Sequence, residues 1–126
     1  MESTTEGAVQ HWMVIETFDF NGMKVFIRMV EYDRIRELSI SEMGKYFILV
    51  RVSRPQFPNA SIIGDYDAKI LCGPKDSQAE VLAKQFAEIW PKSSEKLFML
   101  FLGVRDLSPP FVNALMAFLK NKVVTV

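Results

Sequence analysis

Leu97-Phe98-Met99-Leu100-Phe101-Leu102-Gly103-Val104 carries no polar side chain, and Ser108-Pro109-Pro110 follows after a short polar connection. An apolar run on both faces is the pattern of a central strand covered on each side. Ser108 is placed to cap free amides, and Pro109 sits where a missing N–H costs nothing, so a helix begins here. Phe111, Ala114, Leu115, Phe118 and Leu119 form its buried stripe, Asn121 closes it, and Val123 to Val126 reads as a final short strand.

Upstream of the apolar run, Ser77 and Glu80 have the spacing of a capping box. Ala79, Leu82, Ala83, Phe86, Ile89 and Trp90 recur at helical intervals until Pro91 terminates the segment. Ser61 to Cys72 holds a strand, best developed from Ala68, with Gly73-Pro74 as punctuation. Lys45 to Ser53 alternates as another strand, and Pro55 to Asn59 forms a loop. Asp33 to Gly44 is charged and mixed in period, a short helix or a connecting loop. His11 to Phe20 and Met23 to Tyr32 flank Asn21-Gly22, the strongest short hairpin signal. One face of the second strand is apolar (Met23, Val25, Ile27, Met29); the other mixes Lys24, Phe26, Arg28, Val30 and Tyr32.

The order of elements predicts an α/β fold. Its mixed sheet has an N-terminal antiparallel hairpin and a C-terminal βαβαβ portion with parallel last strands, helices packed on the sheet. Residues 1–8 read as a flexible tail and 9–126 as a single α/β domain. At 126 residues, 49% hydrophobic and 24% charged, the chain has the composition of one compact domain.

Fifteen basic residues balance 15 acidic ones, and no three basic residues are consecutive, which argues against a nucleic-acid partner. The apolar run falls far short of the ~20 residues needed to span a bilayer. The acidic, polar start lacks the features of a signal peptide, so the expected location is cytoplasmic.

Chemistry-bearing residues are sparse. Cys72 has no second cysteine, and with His11 it falls short of a structural zinc site, so neither a metal nor a cofactor is expected. A nucleophilic Cys72 would need His11 as its base; a strand histidine and a small buried thiol are the plainer readings. Asp65 and Asp67 flank Tyr66 without the further oxygen ligands of a calcium loop. Gly73-Pro74-Lys75-Asp76-Ser77 lacks the full phosphate-loop pattern and reads as a turn plus cap. No catalytic residue is assigned, and a non-enzymatic role is expected.

The connection Gly103 to Phe111 is the candidate site. It lies at the carboxyl end of a central strand, where open α/β sheets place binding surfaces, and it ends at a helix N-terminus that favours an anion beside Arg105. The alternative is local: Ser108 only caps, and Arg105 and Asp106 only pair. Val112, Met116 and Lys120 share one face of the following helix.

From about Ala68 to Val126, Ile70-Leu71-Cys72-Gly73, Ala79 with Leu82, Leu100 to Val104 and the Gly103 to Leu115 stretch resemble the STAS domain of anti-sigma factor antagonists. The resemblance implies a bacterial, cytoplasmic signalling module that binds a protein partner, such as a kinase-like anti-sigma factor. The implied partner-binding residues are Arg105, Asp106, Ser108, Val112 and Met116. In that family the loop reads roughly Asp-Ser-Ser-Gly and a serine is phosphorylated. Here the Asp falls on Ser108 and the serine pair on Pro109 and Pro110, so the usual acceptor hydroxyl is absent; only a shifted alignment makes Ser108 the candidate phosphosite, where a phosphate would add nearly two negative charges. Two other readings stand beside this one. A small anion- or nucleotide-binding protein or enzyme would use the helix N-terminus at Ser108. A structural subunit of a larger assembly would dock through the hairpin edge by strand addition.

Overall fold

Asn21 and Gly22 both take positive φ, 49° and 84°, the geometry of a primed two-residue turn. The turn joins β1 (Gln10–Phe20) to β2 (Met23–Tyr32) in the computed structural model, which describes residues 10–42, 44–53, 67–75, 77–89, 97–105 and 107–124. A side chain at Gly22 would have to adopt the left-handed region, so Gly22→Ala is expected to cost about 1 kcal/mol in urea unfolding, although nothing crowds the position.

The chain continues through β3 (Ile35–Ser41), β4 (Ile48–Ser53), β5 (Asp67–Cys72), α1 (Ser77–Ile89), β6 (Leu97–Gly103) and α2 (Pro109–Val124). The strands form one six-stranded mixed sheet in the order β1-β2-β3-β6-β4-β5. β3 and β6 pair in parallel, and every other neighbouring pair is antiparallel. The architecture is the expected α/β one, with two helices packed on the sheet.

Several elements differ from the sequence reading. The charged Asp33 to Gly44 segment is neither helix nor simple loop, because its core is β3. Its alternation places Leu38 and Ile40 in the core. Its charges are met across the strands, with Arg28–Glu37 at 3.6 Å and Arg36–Glu31 at 3.5 Å. Val123 and Val124 do not begin a strand. They extend α2, where Val123 completes the buried stripe Phe111, Leu115, Leu119, Val123. β5 and β6 run in the same direction, yet they are not neighbours. Both pair with β4, which lies between them, and β6 finds its parallel partner in β3. The expected tail (1–8), the 55–59 loop, Met43, Asp65, Trp90 and Asp106 lie outside the described residues.

Both helices cover the same side of the sheet. Val25, Ile27, Met29, Leu38, Ile40, Val50, Val52, Phe98, Leu100 and Leu102 meet Ala79, Leu82, Ala83 and Phe86 of α1 and the α2 stripe in one cluster. The alanines let α1 lie close against β4 and β5. α2 lies over the hairpin, where the Phe111 ring packs tilted against Phe18 and edge-on to Phe20, with centroids 6.2 and 5.6 Å apart. Phe118 meets Phe18 at 5.0 Å. Lys122 reaches Glu16 at 3.2 Å and lies over the Phe118 ring.

β6 is central, as its apolar sequence implies, but it is covered by helices on one side only. Phe98, Leu100 and Leu102 are buried, while Leu97, Met99 and Phe101 are half-buried on the other. Among the described residues no helix or strand packs on that second side.

Candidate functional site

The connection from β6 to α2 is held by the fold on two sides. Glu42, just after β3, accepts the backbone N–H of Arg105 through Oε2 at 3.1 Å. Gln78 in the first turn of α1 donates through Nε2 to the Leu107 carbonyl at 2.9 Å. The Ser108 carbonyl accepts the Val112 N–H at 3.0 Å, which makes Ser108 the residue that opens α2 and leaves Pro109 at its first position. The Arg105 amide is thus satisfied by a carboxylate of the chain itself, and the first two positions of α2, Pro109 and Pro110, carry no N–H to offer an anion. Neither Glu42 nor Gln78 is visible as a partner from sequence, since they lie 63 and 29 residues away from the atoms they bind.

The segment between β3 and β4 crosses the end of β6. Phe47 N–H donates to the Leu102 carbonyl at 2.9 Å and Glu42 N–H to the Gly103 carbonyl at 3.2 Å. Ser41, fully buried, donates to the Lys45 carbonyl at 3.2 Å. The crossing is possible because residue 103 is glycine: a Cβ there would overlap the Lys45 carbonyl oxygen and lie 2.8 Å from its carbon. Glu42, Lys45, Phe47, Gly103 and Arg105 enclose a hollow of only about 90 Å³.

Of the residues singled out by sequence, the Arg105 side chain is exposed, Ser108 is half-buried, and Asp106 lies outside the described residues. Val112 and Met116 are half-buried and pack against the core cluster. They do not converge with Arg105 on one point. With the half-buried Ile89 they line an open groove of about 700 Å³ between the helices, whose exposed lining includes Gln85, Glu88, Asn113, Ala117 and Lys120. The α2 half of this groove was readable as a helix face; the α1 half was not.

The other candidates remain apart. Cys72 is an exposed free thiol at the end of β5, and Asp67 is exposed at its start. His11 lies on the edge strand β1. Among the described residues no three His, Cys, Asp or Glu side chains gather as metal ligands would. No helix of the described residues is long and apolar enough to cross a membrane.

The sheet face that no described helix covers is the larger feature. Register places Ile15 beside Arg28, Ser39, Phe101 and Leu49 in one row across five strands. Ile15 is 67% exposed, Phe26 47% and Met13 42%. Tyr46, 47% exposed, sits edge-on to Phe101 at 6.1 Å. An apolar area of this kind, interrupted by charges, has the composition of a protein contact rather than of a reaction centre.

No protein-family model matches the chain, and no curated protein matches it either. Among solved structures, the fold is similar to a chain in the crystal structure of a chaperone complex for yeast 20S proteasome assembly. The TM-score is 0.65 at 13% identity, over 87% of this chain and 96% of that one. This finding overturns the functional reading of the chain as a signalling module of the anti-sigma factor antagonist type. That reading drew on residues 68–126, whereas the structural likeness takes in nearly the whole chain, the N-terminal half included. The reading of a structural subunit in a larger assembly is the one that agrees with it.

Proposed function

We propose that the chain is a non-enzymatic assembly chaperone, a protein-binding subunit that helps 20S proteasome-type rings to form in the cytoplasm. The observation that carries this reading is the near-complete overlap with a chain of the yeast assembly-chaperone complex. The exposed apolar residues Met13, Ile15 and Phe26, on the sheet face that no described helix covers, support it. An assembly factor must hold a partner's unfinished surface and then release it, which calls for a broad contact area rather than a deep cleft. The β6–α2 loop, tied down by Glu42 and Gln78, serves here to fix the two layers to each other.

The test is direct binding. The purified chain, mixed with each 20S subunit in turn, is expected to co-elute with at least one of them in size-exclusion chromatography. Elution as a separate species from every subunit would overturn the reading.

A further inference from the structure

The sheet face that no described helix covers is not electrically uniform. Toward the hairpin its charges are matched, since Arg28 lies 3.6 Å from Glu37. Toward the other edge Arg51 of β4 stands directly opposite Lys69 of β5 on the same face. Neither forms an ion pair with a described residue. Two described carboxylates share this part of the face: the exposed Asp67, two residues before Lys69 and opposite Ser53, and Glu37, in the same row as Arg51 two strands away and already engaged by Arg28. Like charges placed directly across a strand pair repel, so a sheet edge built this way has a preference for a carboxylate brought from outside. The apolar residues of this face are spread along the sheet, with Ile15 on the edge strand β1, Phe26 on β2, Phe101 on β6 between the two charged regions and Leu49 on β4, across six strands that span about 24 Å at the usual spacing.

We infer that the sheet face covered by no described helix docks a protein partner whose surface is apolar over β1, β2 and β6 and carries carboxylates over Arg51 and Lys69. The inference takes from the assembly-chaperone reading only the existence of a protein partner. The apolar residues supply contact area, and the basic edge sets which way round the partner sits and accelerates its approach. The groove between α1 and α2 has no such polarity, because Glu88 and Lys120 both lie on its rim.

Photo-crosslinking in cells that make the full chain tests this, with benzoylphenylalanine placed at Phe101 on the open face and, separately, at Ala117 in the helix groove. The crosslinked peptides are identified by mass spectrometry. Crosslinks from position 101 are expected to reach a protein segment that contains Asp or Glu. Their yield is expected to fall at least about tenfold in the double variant Arg51→Glu, Lys69→Glu. Lys69→Glu alone, at an exposed position, is the second variant should the double one unfold, and it is expected to lower the yield several-fold. The inference is overturned by crosslinks from 101 to a second copy of this chain, by a contacted segment without carboxylates, by a yield unchanged on charge reversal, or by crosslinks from 117 alone. An acidic partner that is not a proteasome subunit would remove the assembly-chaperone reading and support this one. A proteasome subunit crosslinked only from 117 would do the reverse.

Discussion

Replacing Gly103 by alanine is expected to cost the fold about 3 kcal/mol or more, although only one methyl group is added. The added carbon would overlap the Lys45 carbonyl oxygen and come within 3.2 Å of the Tyr46 Cα, and all of these neighbours are backbone. No rotamer change relieves the clash, so the connection between β3 and β4 must lift away from the end of β6. The bonds from Phe47 N–H to Leu102 and from Glu42 N–H to Gly103 are then stretched or lost, and the Ser41 contact to Lys45 goes with them. A drop of roughly 10 °C in melting temperature is the corresponding scale for a chain of this size. Tyr46→Ala, which alters the same segment but only at a half-exposed ring, is expected to cost much less. Comparable losses for the two variants would mean that the crossing is not closely packed.

Phe111→Ala is expected to be more damaging still, by about 3 to 5 kcal/mol, because a fully buried aromatic is removed from the centre of a cluster. Phe111 is 1% exposed and touches the rings of both Phe18 and Phe20. It is also the first core residue of α2, so its loss frees the start of the helix from the hairpin beneath it. The side chains around it are large and held by their own strands, which limits how far the cavity can collapse. Phe101→Ala offers the contrast. Phe101 is half-buried on the bare face, and its truncation is expected to change denaturant stability far less than Phe111→Ala while weakening partner binding. If Phe101→Ala proved as destabilising as Phe111→Ala, the face would belong to a core rather than to a contact surface.

The strands and helices that obey a single period were legible in the sequence. The hairpin followed from Asn21-Gly22 and the alternation of β2, and α1 and α2 from their spaced apolar residues and the proline-led start at Pro109. β3 was not legible, since its run of charges imitates a solvated connection. What makes it a strand is Arg28 and Glu31 on β2, which lie opposite its Ser39 and Arg36 in the register. The strand order was not legible either. An apolar β6 signals a central position, but nothing local tells it to insert between β3 and β4; that choice is made by the crossing at Gly103 and the packing of α1. The same holds for function. The mixed face of β2 showed that one side of the sheet meets water or a second layer. The continuity of that face from Ile15 to Leu49 exists only once five strands are assembled side by side.

The most direct measurement is native electrophoresis of proteasome species in cells depleted of this chain. Mature 20S particles are expected to fall while incomplete rings accumulate, both effects being reversed by the wild-type chain. Undiminished 20S assembly in fully depleted cells would contradict the assembly-chaperone reading.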